Sequence, residues 1–441
     1  MAGGPGPNVG GRAAAVPVRV VNRQDFRGLD RFRVDWRVLE DGVAVQEGWL
    51  PAPDVPPGDT AILQVPVREP TPVPGAEYVL DLSFITLEDE PLIPAGHEAV
   101  FGQVALPWGR VIADAAADRP RGVVTPAPVE PRARGALPPL EVSRGAEAVR
   151  ITGQGFAATF DPATGLLTSY ARGDRELLLT GPRPDFWRAP TDNDFGGDWQ
   201  KKLAVWRSAG EGFRVESVDV ERSADGAVRV TARGAIPAGA TRYVLSQEVR
   251  GDGVVVFDAH LLPGDDSLPM LPRVGMVLTL PAALDRAEWY GRGPHEAYWD
   301  RKTGARLGRW RSTVDSLYHP YVRPQESGQR ADVRWMTLTD GAGYGLLLTG
   351  EAPLDVTASR FLSQDLDEGE EKRNRHDVEL VPRDLVRLNV DFRQMGVGGV
   401  TSWGPTAIPE YQLPYGEYRY RWALRGIGPE DEPAVIARTL P

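Results

Sequence analysis

The 441-residue sequence contains no cysteine and only four lysines. Without cysteine, disulfides, catalytic thiolates and cysteine-ligated zinc sites are all excluded. Acidic residues outnumber basic ones, 61 to 50, and the formal net charge is -11. A nucleic acid or an anionic membrane is therefore not expected as a partner, because either would repel the chain.

Long hydrophobic runs and helical periodicity are also scarce. The opening MAGGPGPNVGGRAAAVP has no apolar core of signal-peptide length, and no run reaches the length of a membrane span. We therefore predict a cytoplasmic protein with a disordered leader over 1–16. GDWQKKLAVWRSAG (197–210) predicts one short helix that ends at Gly210. Because helices do not alternate with strands, a (β/α)8 barrel is not expected in this chain.

Short stretches of alternating apolar and polar residues fill most of the sequence, separated by many of its 49 glycines and 40 prolines. This pattern is typical of an all-β protein. Over 17–108 it predicts an immunoglobulin-like β-sandwich of roughly seven strands. Residues 109–142 are rich in Pro, Ala and Arg and predict a linker. The pattern returns over 143–427 and predicts one large antiparallel β-sandwich, followed by a tail at 428–441.

Residues 186–199, FWRAPTDNDFGGDW, combine large aromatic residues with acids, an arginine and two adjacent glycines. One interpretation is a turn-rich loop that Phe186 and Trp187 anchor in the sandwich, with Arg188 paired to one of the acids. The other is a loop over a sugar site, because a sugar ring is contacted by flat aromatic faces and fixed polar groups.

A second aromatic cluster, at 289–330, contains His295, Glu296, His319 and Glu326. A histidine beside a carboxylate could act as an acid–base pair, which makes these four the candidate catalytic residues of a mutarotase-type sugar enzyme. The alternative is structural, with each histidine bonded to a backbone carbonyl.

Trp403 lies between Thr-Ser and Gly-Pro, which places it on a loop rather than on the face of a strand. A tryptophan in this position is either a buried anchor of the loop or a platform for a ligand. The preceding GVGG is not followed by a helical pattern and so does not indicate a phosphate site.

Four stretches resemble, in the same order, the last domain of the family-two glycoside hydrolases, the large multidomain β-galactosidases. They are FWRAPTDNDFG, YGRGPHEAYWDR, PYVRPQESGQRADVRW and GVGGVTSW. Four further stretches resemble the immunoglobulin-like domain that precedes this last domain. They are VVNRQDF, VLEDG, EYVLDLSF and PAGHEAVFGQVALP. The resemblance covers about 17–427 and implies that 143–427 forms a large β-sandwich of galactose-mutarotase type.

The resemblance also implies roles for single residues. Trp403 matches a tryptophan that reaches into the active-site pocket and stacks against the sugar. The loop around Phe195–Trp199 resembles a mobile flap beside that pocket. The expected substrate-binding residues are therefore Trp403, Asp194, Phe195 and Gly196. The nucleophile, the acid–base glutamate and the magnesium ligands of the family lie on a preceding (β/α)8 barrel. No catalytic residue, metal ligand or cofactor is therefore assigned to this chain.

Three functions are consistent with these residues. The first is the C-terminal portion or small subunit of a retaining β-galactosidase acting on β-D-galactosides such as lactose. It would be inactive alone, would need a barrel-bearing portion that holds magnesium, and is expected in an oligomer; a natural subunit, a split-gene product and a truncated gene model all fit. The second is the mutarotase-type enzyme. The third is a non-catalytic module for carbohydrate binding or assembly, with Trp403 as its main contact.

Overall fold

The computed structural model describes residues 12–110, 123–124, 137–264, 267–373, 375–399, 401, 403 and 406–440. Strands account for most of the regular structure, and each of the five α-helices in these ranges has only four or five residues. The predicted all-β class is therefore confirmed. The chain separates into two compact units: β1–β6 belong to the first, and the later strands, apart from residues 307–309, belong to the second.

The first unit is a two-sheet sandwich. Its strands are β1 Arg12–Val21, β2 Phe32–Glu40, β3 Val43–Pro51, β4 Thr60–Glu69, β5 Tyr78–Thr86 and β6 Glu98–Leu106. β1 pairs with β4, and the other sheet has the order β3-β2-β5-β6, with all neighbours antiparallel. Val34, Trp36 and Val38 alternate along β2 and are buried, because a period of two places them on one face. They share a core with Val65 of β4.

Two predictions for this region need correction. β1 begins at Arg12, so the leader predicted over 1–16 is too long, and residues 1–11 lie outside the described residues. The first residues of β1, Arg-Ala-Ala-Ala, have little strand propensity of their own and are held by pairing with β4. The described residues of the unit form six strands rather than roughly seven.

The second unit contains a thirteen-stranded sheet and a five-stranded sheet. Its strands are β7 Val123–Val124, β8 Glu141–Arg144, β9 Val149–Gly153, β10 Phe156–Phe160, β11 Leu167–Arg172, β12 Arg175–Glu176, β13 Thr180–Asp185, β14 Arg214–Arg222, β15 Val228–Ile236, β16 Thr241–Val249, β17 Val255–Leu262, β18 Arg273–Pro281, β19 Arg286–Gly293, β20 Arg306–Thr313, β21 Arg330–Thr339, β22 Gly345–Ser359, β23 Leu385–Gln394 and β24 Glu417–Ile427. The small sheet has the order β12-β11-β10-β9-β8. The main path of the large sheet is β13-β18-β23-β22-β24-β17-β16-β15-β14, with β7, β19, β20 and β21 attached.

The hydrophobic core of this unit draws residues from both sheets. Ile151 and Phe160 come from the small sheet, and Phe257 and Trp422 from the large one. The rings of Phe257 and Trp422 stack with their centroids 4.3 Å apart. The expected large antiparallel sandwich is thus present, with β7–β24 as a parallel pair at its margin.

The helices are short and lie in connections. They are α1 Asp192–Gly196, α2 Trp199–Lys202, α3 Val314–Leu317, α4 Ser363–Leu366 and α5 Pro433–Ala437, with 3-10 turns at Ala204–Trp206, Asp377–Glu379 and Pro409–Tyr411. The single helix predicted over 197–210 is interrupted because Leu203 leaves the helical region, at φ −101° and ψ 6°. β7 and part of β8 fall in the predicted linker, whose other residues are mostly outside the described ranges, and α5 falls in the predicted tail.

Candidate functional site

The turn at 191–196 is shaped by a reciprocal pair of hydrogen bonds. Thr191 Oγ1 accepts from the Asp194 backbone N–H at 3.3 Å, and Asp194 Oδ2 accepts from the Thr191 N–H at 2.7 Å. Such a capping box satisfies donors that the first turn of a helix leaves free. Asp194, one of the expected substrate-binding residues, therefore directs its buried carboxylate into the turn.

Arg188 lies beside this turn and is almost fully buried. Its Nη1 donates to Asp194 Oδ2 at 2.8 Å and its Nη2 to Asp194 Oδ1 at 3.3 Å. The prediction that Arg188 pairs with an acid of this stretch is confirmed. Phe186 and Trp187 are buried in the main core, which confirms their predicted role as anchors.

Phe195 is half-buried and lies near two cations. The Arg323 guanidinium carbon and Lys372 Nζ lie 5.3 Å and 5.6 Å from the centroid of its ring. The same cations donate to Asp192 Oδ1 at 2.6 Å and 3.0 Å. Although burial opposes it, these bonds hold the pKa of the Asp192 carboxyl below its usual range. Gly196, the last residue of α1, is exposed.

Three of the four lysines surround this turn. Besides Lys372, Lys201 Nζ donates to Glu371 Oε1 at 2.5 Å, and Lys202 Nζ donates to the Gly197 carbonyl at 2.7 Å. The fourth, Lys302, binds Asp332 Oδ2 at 2.9 Å and has a side chain only 15% exposed.

Trp403 is by far the most exposed tryptophan of the chain. It is 88% exposed, whereas none of the other eleven, all of them in the described ranges, exceeds the 42% of Trp49. Its backbone N–H donates to Thr401 Oγ1 at 3.2 Å. One of the two interpretations of Trp403, a buried loop anchor, is therefore excluded for this chain.

The glycine segment 396–398 precedes Trp403 and is fixed by its backbone. The Gly396 N–H donates to the Tyr411 carbonyl and the Gly398 N–H to Asp300 Oδ2, both at 2.8 Å. A Cβ at Gly396 would lie 2.6 Å from both Ala407 Cβ and Asp300 Oδ2. Only glycine therefore fits this position without movement of its neighbours.

The four motif stretches meet at an open cleft of about 150 Å³. We call it the motif cleft, and its lining residues are Thr191, Asp192, Asn193, Tyr298, Arg301, Tyr321, Gln325, Glu326 and Val397. Tyrosine, arginine, amide and carboxylate side chains can all bind the hydroxyl groups of a sugar. A second cavity, of about 500 Å³ and lined in part by Trp187, Arg207 and Arg387, contains none of the predicted site residues.

Glu326 and Tyr298 are the most buried polar residues of the motif cleft. Glu326 Oε1 accepts from Gln394 Nε2 at 3.2 Å and from Arg273 Nη2 at 3.4 Å. Within the described part of the chain, Glu326 Oε2 and the Tyr298 hydroxyl have no hydrogen-bond partner. Burial, followed by the charges of Glu326 and Glu296, raises the pKa of the Tyr298 phenol well above its usual range, so the hydroxyl stays neutral.

The other candidate acid–base residues lie beside the cleft. Glu296 accepts hydrogen bonds from the Gly328 N–H at 2.8 Å and from the Tyr321 and Arg301 side chains. His319 is exposed, and its ring packs edge-on against Tyr321 with centroids 4.5 Å apart. The structure thus brings Glu296 and His319 together through Tyr321, while His295 is exposed.

The large sheet contains a strip of buried polar residues that was not predicted from the sequence. On β23 it consists of Arg387, Asn389, Asp391 and Arg393, and on the paired part of β22 of Asp355, Thr357 and Ser359. The alternation in VRLNVDFRQ predicts a strand but does not distinguish a polar face in water from a buried one, and both faces of β23 are buried.

Arg273 joins this polar strip to the motif cleft. Its guanidinium nitrogens lie 3.0 Å from Asp185, 3.1 Å from Asp391 and 3.4 Å from Glu326. One cation thus faces three carboxylates. Burial, with Asp185 among the neighbouring charges, raises the pKa of Asp391 well above its usual range.

None of the helices in the described ranges has the length and hydropathy of a membrane-spanning segment. Nor do these ranges contain a group of three or more His, Asp or Glu side chains that could hold a metal ion.

Comparison with known proteins gives two family matches. Residues 152–424 match a model described as "Beta galactosidase small chain", and residues 18–107 match "Beta-galactosidase, domain 4". A β-galactosidase of Priestia megaterium is 33% identical over 395 residues, which make up 89% of this chain and 36% of that protein. A β-galactosidase of Vibrio cholerae is 32% identical over 399 residues, or 88% of this chain and 36% of that protein.

The chain therefore spans about 36% of the length of these curated relatives. Among solved structures, a galactose 1-epimerase from Lactobacillus acidophilus NCFM aligns with a TM-score of 0.37 and 9% identity. That alignment covers 64% of this chain and 94% of the epimerase.

Proposed function

Because this chain belongs to the β-galactosidase small-chain family, we propose that it forms the C-terminal portion of a retaining β-galactosidase. The proposed substrates are terminal β-D-galactosides such as lactose. Its partner is the portion of such an enzyme that lies outside the match, with the catalytic glutamates and magnesium on a (β/α)8 barrel. A cytoplasmic location and an oligomeric state stay predictions.

In this proposal the chain supplies one wall of the galactoside site. The Trp403 ring stacks on the apolar face of the sugar, and the turn that carries Phe195 and Gly196 borders the same site. Asp194 contributes by fixing the shape of that turn, since its carboxylate is bonded within it. Hydrolysis itself is left to carboxylates of the partner portion, which are held ~5–5.5 Å apart in retaining enzymes.

The exposure of Trp403 is the observation that carries the proposal. At 88% exposed, its indole ring offers a flat apolar face and an N–H donor to whatever covers it. Tryptophan is enriched at interfaces because its ring combines an apolar body with a polar N–H. The motif cleft, where the same family stretches meet, supports a hydroxyl-rich ligand on this unit.

The proposal is tested by complementation. The purified chain, the portion of the Priestia megaterium relative outside the match, and their mixture are assayed with a chromogenic β-galactoside. We expect hydrolysis only in the mixture. Hydrolysis by the chain alone would place the catalytic carboxylates in this chain and overturn the proposal, and anomer interconversion by the chain alone would favour the mutarotase-type alternative.

In the active mixture, Trp403→Ala tests the wall role directly. Truncating an aromatic anchor typically costs ~2 kcal/mol or more of binding, so KM should rise more than about tenfold. Trp49→Ala, on β3 of the first unit and 42% exposed, is the matched control and should leave KM unchanged.

A further inference from the structure

We infer that Arg188 is a positioning residue that links the turn at 191–196 to the glycine segment 396–398, so that the two loops keep one common geometry. The inference rests on the proposed function, because it assigns both loops to the galactoside site. Arg188 would fix the relative positions of the two loops, while Trp403 and the turn would contact the sugar.

The guanidinium of Arg188 contacts both loops. Two of its nitrogens bond the Asp194 carboxylate, and Nη2 also lies 3.5 Å from the carbonyl oxygen of Gly396. Its side chain is 1% exposed and that of Asp194 is 9% exposed. A guanidinium is planar and holds its donors in fixed directions, so two acceptors bonded to it cannot shift independently.

The Asp194 carboxylate has no freedom to adjust in compensation. Besides Arg188, it accepts from the Thr191 N–H at 2.7 Å and from the Thr191 hydroxyl at 3.1 Å. A displacement of Arg188 is therefore transmitted to the capping box, and through it to the backbone that carries Phe195 and Gly196.

The glycine segment is equally constrained on its own side. Asn193 Nδ2 donates to the Val397 carbonyl at 3.5 Å, which makes a second link between the loops. Gly396 has no room for a side chain between Ala407 and Asp300. Because packed elements of this kind have few alternative positions, moving one loop is expected to move the other.

Arg188→Lys separates the effect of charge from the effect of geometry. The introduced ammonium group keeps the positive charge beside Asp194, but it is compact and cannot hold the carboxylate and the Gly396 carbonyl in one plane. Arg188→Lys should therefore loosen the link between the loops while it avoids an unpaired buried carboxylate.

The first measurement is hydrogen–deuterium exchange of the full chain. In Arg188→Lys we expect exchange to become faster by about threefold or more in both 191–196 and 395–399. Arg250→Lys is the matched control, since Arg250 is buried in the same unit and lies 3.0 Å from Glu248; it should change neither loop. Faster exchange confined to 191–196 would overturn the inference.

Asn193→Ala provides a second variant in case the lysine variant does not fold. It removes a half-buried neutral link and leaves the buried ion pair in place. Faster exchange at 395–399 in this variant supports the link between the loops, and unchanged exchange there argues against it.

The second measurement is KM in the assembled enzyme. Arg188→Lys should raise KM about threefold or more, and its effect should be non-additive with that of Trp403→Ala, as expected for residues that share one structural unit. A role limited to stability would lower Tm and leave KM unchanged.

If Trp403→Ala raises KM and Arg188→Lys does not, the inference falls and the proposed function stands. If Trp403→Ala leaves KM unchanged, the proposed function falls. Hydrogen–deuterium exchange alone then tests whether Arg188 links the two loops.

Discussion

Asp355 is an acid whose environment disfavours its charge. It is fully buried on β22, with Arg393 Nη1 donating to its Oδ1 at 2.9 Å. Burial raises the pKa of Asp355 to about 6, with Arg393 and Lys302 opposing the shift and Asp332 adding to it. The folded chain therefore binds the Asp355 proton more tightly than the unfolded chain, whose carboxyl titrates near ~3.9.

From this shift we predict how the stability of Asp355→Asn depends on pH. An acid with a raised pKa in the folded state makes the free energy of unfolding fall as pH rises from ~4 to ~6. Asparagine does not titrate. The free energy of unfolding of the variant should therefore rise, relative to that of the wild type, by roughly 2–3 kcal/mol between pH 4 and pH 7. Urea unfolding across this range measures the difference.

Asp174→Asn, the same substitution at an exposed position, is the control. A constant difference between wild type and Asp355→Asn at all pH values would contradict the shift.

At the scale of residues, the sequence was informative where partners are close along the chain. The Arg188–Asp194 pair spans six residues and could be predicted from one stretch. Asp355 and Arg393 lie thirty-eight residues apart, and only strand pairing brings them together. Nothing in the local sequence indicates that the polar side of β22 is buried, because an alternating pattern is the same whether that side faces water or protein.

At the scale of elements, the glycine segment before Trp403 gives the clearest prediction. Gly396→Ala places a Cβ 2.6 Å from Ala407 Cβ, and that methyl group belongs to a side chain with no freedom to turn away. Overpacking of this kind typically costs ~1–3 kcal/mol. We expect a lower Tm in the isolated chain, measured by thermal unfolding.

Gly304→Ala is the matched comparison, because a Cβ there meets no atom within 4 Å. It should leave the Tm close to that of the wild type. Equal effects of the two substitutions would mean that the segment yields to the added methyl group.

The strands themselves were largely predictable and the short helices were not. β2, β4 and β5 follow directly from their period of two, since each presents one apolar face to the core. The helix predicted over 197–210 is divided between α2 and a 3-10 turn. Segments this short gain little from helix propensity, so the packing of Leu203 and Trp206 in the core determines their path.

At the scale of the whole molecule, the two units have separate cores. Val34 is fully buried in the core of the first unit and Val390 in that of the second. We predict that Val34→Ala and Val390→Ala each destabilise their own unit by about 2 kcal/mol. In calorimetry each should lower one of two unfolding transitions. A single transition lowered by both would contradict this.

Family membership, by contrast, was apparent from the sequence, and for a physical reason. The four motif stretches are distant along the chain, but all of them contribute residues to the motif cleft. The last stretch contributes Val397. Residue types that meet at one site are constrained together, so they form a pattern even where the intervening strands do not. The stretches do not indicate the buried polar strip on β22 and β23, whose residues follow the pattern of ordinary alternating strands.

The distribution of lysines has a practical consequence. Apart from the N-terminal amine, the primary amines of the chain are Lys201, Lys202, Lys302 and Lys372, and Lys302 is largely covered. The first unit contains no lysine at all. Among the lysines, a dye or support that reacts with amines would therefore attach mainly beside the turn that carries Phe195, where it would cover the proposed galactoside site.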